Sequence, residues 1–197
     1  MKRKVDAEPS HSPSPRERLL AAADDLFYAE GVHVVGIDRI VERAGVAKAS
    51  LYSIFGSKDE LVRVYLEDHF HERQERIADI LAAHDTPRER ILGVFTEIEG
   101  ALDQSNWRGC RFINATVEAR HGDSIETVSE KYRVWLRSTF TDLAKAAGTK
   151  NAKDIGRQLQ LLYDGAAVAA RMDRDRHGAA VAVRSAVESL LDAAIPR

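Results

Sequence analysis

The chain has 197 residues, a formal net charge of −2, 44% hydrophobic residues and one cysteine. That length sets an expectation of one or two domains with ample apolar material for a core. Composition excludes a membrane span, since no run of about eighteen apolar residues occurs, and a signal peptide, since no apolar stretch follows the basic N-terminus; the lone Cys110 excludes an internal disulfide and fits a cytoplasmic protein.

Gly and Pro are few and no stretch alternates with period 2, so an all-α fold is expected. The net charge gives no global pull towards nucleic acid. Local basic spots remain at Lys2–Lys4, Arg39, Arg43, Lys48 and Lys58, diluted by Asp38, Glu42, Asp59 and Glu60.

Residues 1–14 are polar and carry Pro9 and Pro13, which predicts a disordered basic tail. Its Lys2-Arg3-Lys4 run reads either as an arm for the minor groove or as a solvated tail. Ser14-Pro15-Arg16-Glu17 is a capping box with Pro at the first helical position. The first helix then runs to Glu30, with Leu19, Leu20, Ala23, Leu26 and Phe27 on its core face and Gly31 at its end.

Ile37, Ile40, Val41 and Ala44 follow the i, i+3, i+4, i+7 rule of an apolar helical face. Gly45 suits a left-handed helix end. A second short helix reads from about Ala47 to Phe55, with Ala47, Leu51, Ile54 and Phe55 as its apolar face. Two short amphipathic helices across a tight Gly-containing turn form the helix-turn-helix pattern. Ala49 and Ser53 point away from the core, flanked by Ser50 and Tyr52, with Lys48 at the N-terminal shoulder. Small residues permit close approach to a major groove, hydroxyls can bond bases or phosphates, and Ala49 can touch a thymine methyl.

The stretch AGVAKASLYSIFGSKDEL resembles the DNA-binding signature of the TetR (tetracycline-repressor-like) family of bacterial transcription regulators. Ile40, Ala44, Gly45, Val46, Lys48, Leu51, Tyr52, Phe55, Ser57, Lys58 and Leu61 carry the likeness, supported upstream by Ala22, Phe27, Gly31 and Ile37. The likeness covers about Arg16–Leu66; beyond it only length and helical layout agree. It implies a helix-turn-helix domain over 15–60, a ligand-binding and dimerisation domain over 61–197, and no enzyme activity. It also implies phosphate contacts from Tyr52 and Lys58, a homodimer, a palindromic double-stranded DNA operator and a small-molecule effector that releases a repressor. Gly36 stands where a capping Thr is common, Ala47 where a capping Ser is common, and Ile54 where His or Tyr is common. The expected DNA-binding set is Gly36, Lys48, Ala49, Ser50, Tyr52, Ser53, Ser57 and Lys58.

Ser57-Lys58-Asp59-Glu60 is a second capping box, opening a helix to about Ala83 with Leu61, Val64, Tyr65, Ile77, Ile80 and Leu81 on its apolar side. His69 and His71 lie two apart and so diverge on a helix. Thr86-Pro87-Arg88-Glu89 is a third capping box. The helix after it carries Ile91, Leu92, Phe95, Ile98 and Leu102. A loop over Asp103–Gly109 is expected, then a short helix over Cys110–His121 with Phe112, Ile113, Thr116 and Ala119 inward. Asp123–Ala147, Asn151–Met172 and a last helix from about Ala179 complete the chain, with Arg171–Arg176 as a charged turn.

Leu159, Leu162, Tyr163, Ala166, Ala170, Val183, Val187, Leu190 and Leu191 form stripes on the last two helices. They read as a four-helix dimer interface or as the subunit's own core. An effector pocket, mostly apolar with a few polar groups, is expected from Phe95, Ile98, Glu99, Leu102, Trp107, Phe112, Asn114, Glu118, Tyr132, Trp135 and Tyr163. Each aromatic among them has core packing as its plain alternative. Cys110, with Arg108 and Arg111 nearby and a position opening a helix, reads as an inert thiol or as a redox sensor of lowered pKa. No catalytic motif, metal-spaced pair or cofactor loop occurs, so no cofactor is expected. The competing class is a small-molecule-binding α-helical protein without a DNA role, which has no reason to keep Lys48, Tyr52 and Lys58 exposed.

Overall fold

The computed structural model describes residues 12–102 and 104–195. The basic run Lys2–Lys4, most of the predicted tail and Asp103 lie outside them. Nine helices and no strands occur among the described residues. They are α1 (Pro15–Glu30), α2 (Ile37–Ala44), α3 (Lys48–Phe55), α4 (Lys58–Ala82), α5 (Pro87–Leu102), α6 (Arg111–Glu118), α7 (Ser124–Ala146), α8 (Ala152–Met172) and α9 (Arg176–Ala194). The chain divides into two units, one ending at Leu61 and one beginning at Val62, with α4 starting in the first and continuing in the second.

The first unit is built from α1, α2, α3 and the start of α4, with α1 packed on both α2 and α3. The capping box at α1 is complete: the Glu17 amide donates to Ser14 Oγ at 3.3 Å, and the Ser14 amide donates to Glu17 Oε2 at 2.7 Å. Leu19, Ala22, Ala23, Leu26 and Phe27 join Val35, Ile40 and Leu51 in a buried apolar core. α2 ends at Gly45 with φ +62°, which lets the Val46 amide reach the Val41 carbonyl at 3.1 Å. A side chain in that backbone region is disfavoured, so Gly sets the turn between α2 and α3.

In the second unit α8 packs between α7 and α9, while α5 packs on α7, α8 and α9, and α6 packs on α7. The capping box at Thr86 closes with the Thr86 amide on Glu89 Oε2 at 3.0 Å and the Glu89 amide on Thr86 Oγ1 at 3.2 Å. Gly156 sits where α8 meets α7 backbone to backbone: a Cβ there would lie 2.8 Å from the Thr141 nitrogen and Cα.

Local expectations differ from the fold in a few places. α9 begins at Arg176, so the predicted charged turn is shorter. Asp175 caps α9, accepting the Gly178 amide at 2.8 Å. In α6 the inward residues are Phe112 and Ala115, and Thr116 is exposed with its hydroxyl donating to the Phe112 carbonyl at 2.7 Å.

Candidate functional site

α3 is anchored by Leu51 and Phe55, which are 0% and 6% exposed. Those two anchors fix which residues face out. Lys48, Ala49, Tyr52 and Ser53 are exposed and Ser50 is half-buried. Ala47 and Ile54, expected on the apolar face, are also exposed. The two corrections have different causes: Ala47 is the extended N-cap of α3, at φ −69° and ψ 145°, and so falls outside the helical stripe, while Ile54 is turned about 100° round the helix from the anchor Phe55. Pro15, Ala49, Ser50, Ser53 and Ile54 together line a shallow hollow of about 370 Å³ on this surface.

Neither short helix has a side-chain cap: Gly36 and Ala47 make no capping bond. Gly36 is exposed and extended, at φ −80° and ψ 156°. Ser57 accepts the Glu60 amide on its Oγ at 3.0 Å and so caps the start of α4. Lys58 turns inward from the surface. Its ammonium donates to the Val32 carbonyl at 2.6 Å and stands 5.9 Å from the centre of the Phe27 ring.

Three other cations of the first unit face acids, while Arg18 donates to the Gly45 carbonyl at 3.3 Å. Lys48 Nζ is 2.8 Å from Asp38 Oδ1, Arg39 Nη1 is 2.5 Å from Glu30 Oε2, and Arg43 Nη2 is 2.6 Å from Asp25 Oδ2. The hydrogen bond to Asp38 raises the Lys48 pKa above its ordinary value, with the nearby Tyr52 adding to it. Arg16, at the N-terminus of α1, instead lies over the Phe55 ring at 5.9 Å.

The second unit gathers the expected pocket residues into three different settings. Phe95, Ile98, Leu102, Phe112, Tyr132 and Tyr163 are buried. Phe112 stacks on Tyr132 at 3.9 Å between ring centres, Phe70 meets Trp135 at 5.4 Å, and Phe95 stacks on Phe140 at 5.7 Å with Tyr163 edge-on at 6.0 Å. Trp107 and Asn114 belong to a loop clamp instead. Arg176 lies 5.4 Å from the Trp107 ring centre and donates to the carbonyls of Gln104 and Trp107, while Arg171 bonds the Asn114 side chain. Glu99 reaches Arg184 at 3.5 Å through one oxygen and buries the other without a partner. Glu118, at the end of α6, is half-buried.

Sequence reasoning missed the polar residues set among those rings. Arg73 Nη1 pairs with Glu97 Oε2 at 2.6 Å, and Arg76 meets the other Glu97 oxygen at 3.1 Å. Burial opposes the charge on Arg73, yet Tyr163, Glu97, Tyr132 and Cys110 hold its pKa above the ordinary value. Burial pushes the Tyr163 hydroxyl up to about 12 and the Tyr132 hydroxyl well above its usual range. Asp164 is raised by burial against the opposing pull of Arg133, whose guanidinium lies 2.7 Å away. The available signal was spacing: Phe70, Arg73 and Ile77 fall at i, i+3, i+7, which puts the cation on the apolar face of α4. Cys110 is also shifted upward by burial, contrary to the lowered pKa that Arg108 and Arg111 suggested.

The predicted dimer stripe is largely taken up inside the chain. Leu159, Tyr163, Ala166, Ala170, Val183, Val187 and Leu191 are buried in the subunit, and Leu162 and Leu190 are half-buried. The large apolar residues exposed on these helices are Leu161, Val168 and Met172 on α8 and Val181 on α9. Among the described residues no group of three His, Cys, Asp or Glu could hold a metal, and no helix is long and apolar enough to cross a membrane.

This architecture, a two-helix reading element buttressed by α1 in one unit and a second, all-helical unit in the same chain, defines a helix-turn-helix DNA-binding protein. The family model of bacterial regulatory proteins of the tetR family matches residues 19–65. The chain is 32% identical over 142 residues to the transcriptional regulator LmrA of Bacillus subtilis, covering 70% of this chain and 75% of that one. It is 37% identical over 76 residues to the transcriptional activator FasR of Mycolicibacterium smegmatis, a match spanning 39% of this chain and only 35% of that protein. The crystal structure of SCO4454, a TetR-family regulator from Streptomyces coelicolor, superposes with a TM-score of 0.89 at 30% identity, covering 92% of this chain and 96% of that one. The chain belongs to the TetR family, whose members are DNA-binding transcription regulators and not enzymes.

Proposed function

We propose that this regulator is a cytoplasmic, ligand-released repressor that binds a palindromic operator as a homodimer. The observation that carries the ligand reading is the polar group Arg73, Glu97, Tyr132 and Tyr163 set among aromatic rings in the second unit. A few directional polar groups within an apolar lining suit recognition of a small organic molecule. Such an effector shifts the regulator only by binding its DNA-incompetent conformer more tightly than the competent one.

DNA recognition falls to α3 in this reading. Ala49, Ser50 and Ser53 approach base edges, and Lys48, Tyr52, Ser57 and the Gly36 amide approach phosphates. Support comes from their outward placement on and beside a doubly anchored helix. Lys58 has a structural tie to Val32, so its phosphate role is second to holding α4 in place.

The homodimer rests on α8 and α9, through the face opposite the buried stripe. Leu161, Val168 and Met172 recur at i, i+7 and i+11, with Gly165 between them. A small residue within an apolar stripe lets a second helix come close. A second copy is the occupant that a palindromic operator demands, because each half-site takes one reading head.

The test is fluorescence anisotropy on duplex from the gene's own upstream region, followed by an effector screen against the complex. Saturable binding at least about 10³-fold tighter than to random duplex, reversed by a small molecule, is expected. Operator binding unmoved by a broad ligand screen would remove the effector from the reading and leave regulation by abundance.

A further inference from the structure

Lys48 and Asp38 sit on different helices of the reading head, one opening α3 and the other in the first turn of α2. Their charged ends are 2.8 Å apart, with 51% and 81% of their side chains exposed. The pair is thus formed in the open, on the surface where a phosphate would otherwise meet the lysine. Arg39 and Arg43 are paired with Glu30 and Asp25 in the same way, and Lys58 is turned to Val32. The head of a DNA-binding protein therefore carries these cations already matched.

We propose that Asp38 is a specificity-determining residue that occupies Lys48 in the place of a DNA phosphate, so that Lys48 is withheld from sequence-independent binding and released only on a well-fitted operator. The proposal rests on the DNA-binding reading of α3. Sequence-independent affinity is set by the number of phosphates neutralised. A lysine held by its own carboxylate contributes little to that number. An exposed ion pair is weak, so an operator that seats α3 closely can set a phosphate against Lys48 and displace Asp38. Loosely docked random DNA does not hold a phosphate in that place. The carboxylate thus lowers random binding more than operator binding.

The plainer role for Asp38 is at the N-terminus of α2, where Gly36 provides no side-chain cap and a negative charge is favoured. A double-mutant cycle separates the two. Binding of the full-length protein to a scrambled duplex and to the upstream duplex is measured between about 50 and 200 mM salt, for wild type, Asp38→Asn, Lys48→Gln and the double variant. Asp38→Glu serves as the conservative control, and circular dichroism checks that each variant is folded. Asp38→Asn is expected to tighten scrambled-duplex binding roughly three- to tenfold at low salt, to steepen its salt slope by about 0.9 per head, and to shrink the preference for the upstream duplex. The gain is expected to vanish in the Lys48→Gln background, and Asp38→Glu to behave as wild type.

A gain of the same size with Lys48 absent would mean that Asp38 simply repels phosphate, and the proposal fails. So does an unchanged scrambled-duplex affinity in Asp38→Asn. Wild type without measurable affinity for either duplex would instead overturn the DNA-binding reading itself, and this proposal with it.

Discussion

The ammonium of Lys58, the first residue of α4, donates to the carbonyl of Val32 at 2.6 Å, 26 positions earlier in the chain. That bond ties the start of α4 to the connection between α1 and α2. It satisfies the carbonyl of a buried residue that lies outside any helix. A lysine expected at the DNA backbone thus helps to hold the reading head together. Lys58→Ala is expected to destabilise the first unit by about 1–2 kcal/mol, read by urea denaturation, with DNA affinity falling as a consequence. Unchanged stability alongside lost DNA affinity would make phosphate contact its sole role.

Gly156 gives a prediction of the opposite kind, where nothing charged is involved. Its missing side chain lets α8 approach the Thr141 backbone of α7. Gly156→Ala forces the two helices apart and is expected to cost about 1–3 kcal/mol by overpacking. Gly100→Ala is the control: it lies in α5, and a Cβ added there would meet nothing within 4 Å. It is expected to be neutral or slightly stabilising. Thermal melting of the two variants side by side checks the contrast.

The buried tyrosines set an alkaline limit on stability. Tyr163 titrates at about 12 in the folded chain against an ordinary value of 10.0, because burial disfavours its phenolate. Between those values the unfolded chain has released the proton and the folded chain has kept it. Stability contributed by the neutral hydroxyl is therefore full below about pH 10 and lost as pH rises towards 12. Tyr132, shifted the same way, adds to the effect. Denaturation midpoints are expected to fall steeply across that window, and less steeply in Tyr163→Phe. A variant with the same alkaline slope as wild type would refute the assignment.

The proposed dimer face yields a test of assembly. Leu161 and Met172 are 61% and 75% exposed in the subunit, so charging them leaves the core intact. Leu161→Glu with Met172→Glu is expected to give a folded monomer by light scattering, with operator affinity reduced by at least about 10²-fold through loss of the paired half-site. Val187→Ala, in the core at 0% exposure, is expected to lower stability by about 1–2 kcal/mol without changing the oligomeric state.

Much of this protein was legible in the order of its residues. Ser14 and Thr86 cap their helices as the capping boxes predict, Gly45 makes its turn left-handed, and Leu51 and Phe55 anchor α3. Each of these depends on residues within about four positions of one another, where helical spacing and backbone preference act alone. The same local signals, set in a distinctive string from Ala44 to Leu61, also carried the family. What they left open was the partner across space. The stripe Leu159, Leu162, Tyr163, Ala166 and Ala170 stood out by its spacing on α8, but spacing gives no sign of whether a stripe meets its own subunit or a second copy; packing put Leu159 and Tyr163 inside and left Leu161 and Met172 out. The pairings Lys48–Asp38, Lys58–Val32 and Arg73–Glu97 likewise join residues 10, 26 and 24 positions apart. A charge finds such a partner only once the helices have been brought together, because the hydrophobic faces that drive folding fix the distances at which the polar groups then meet.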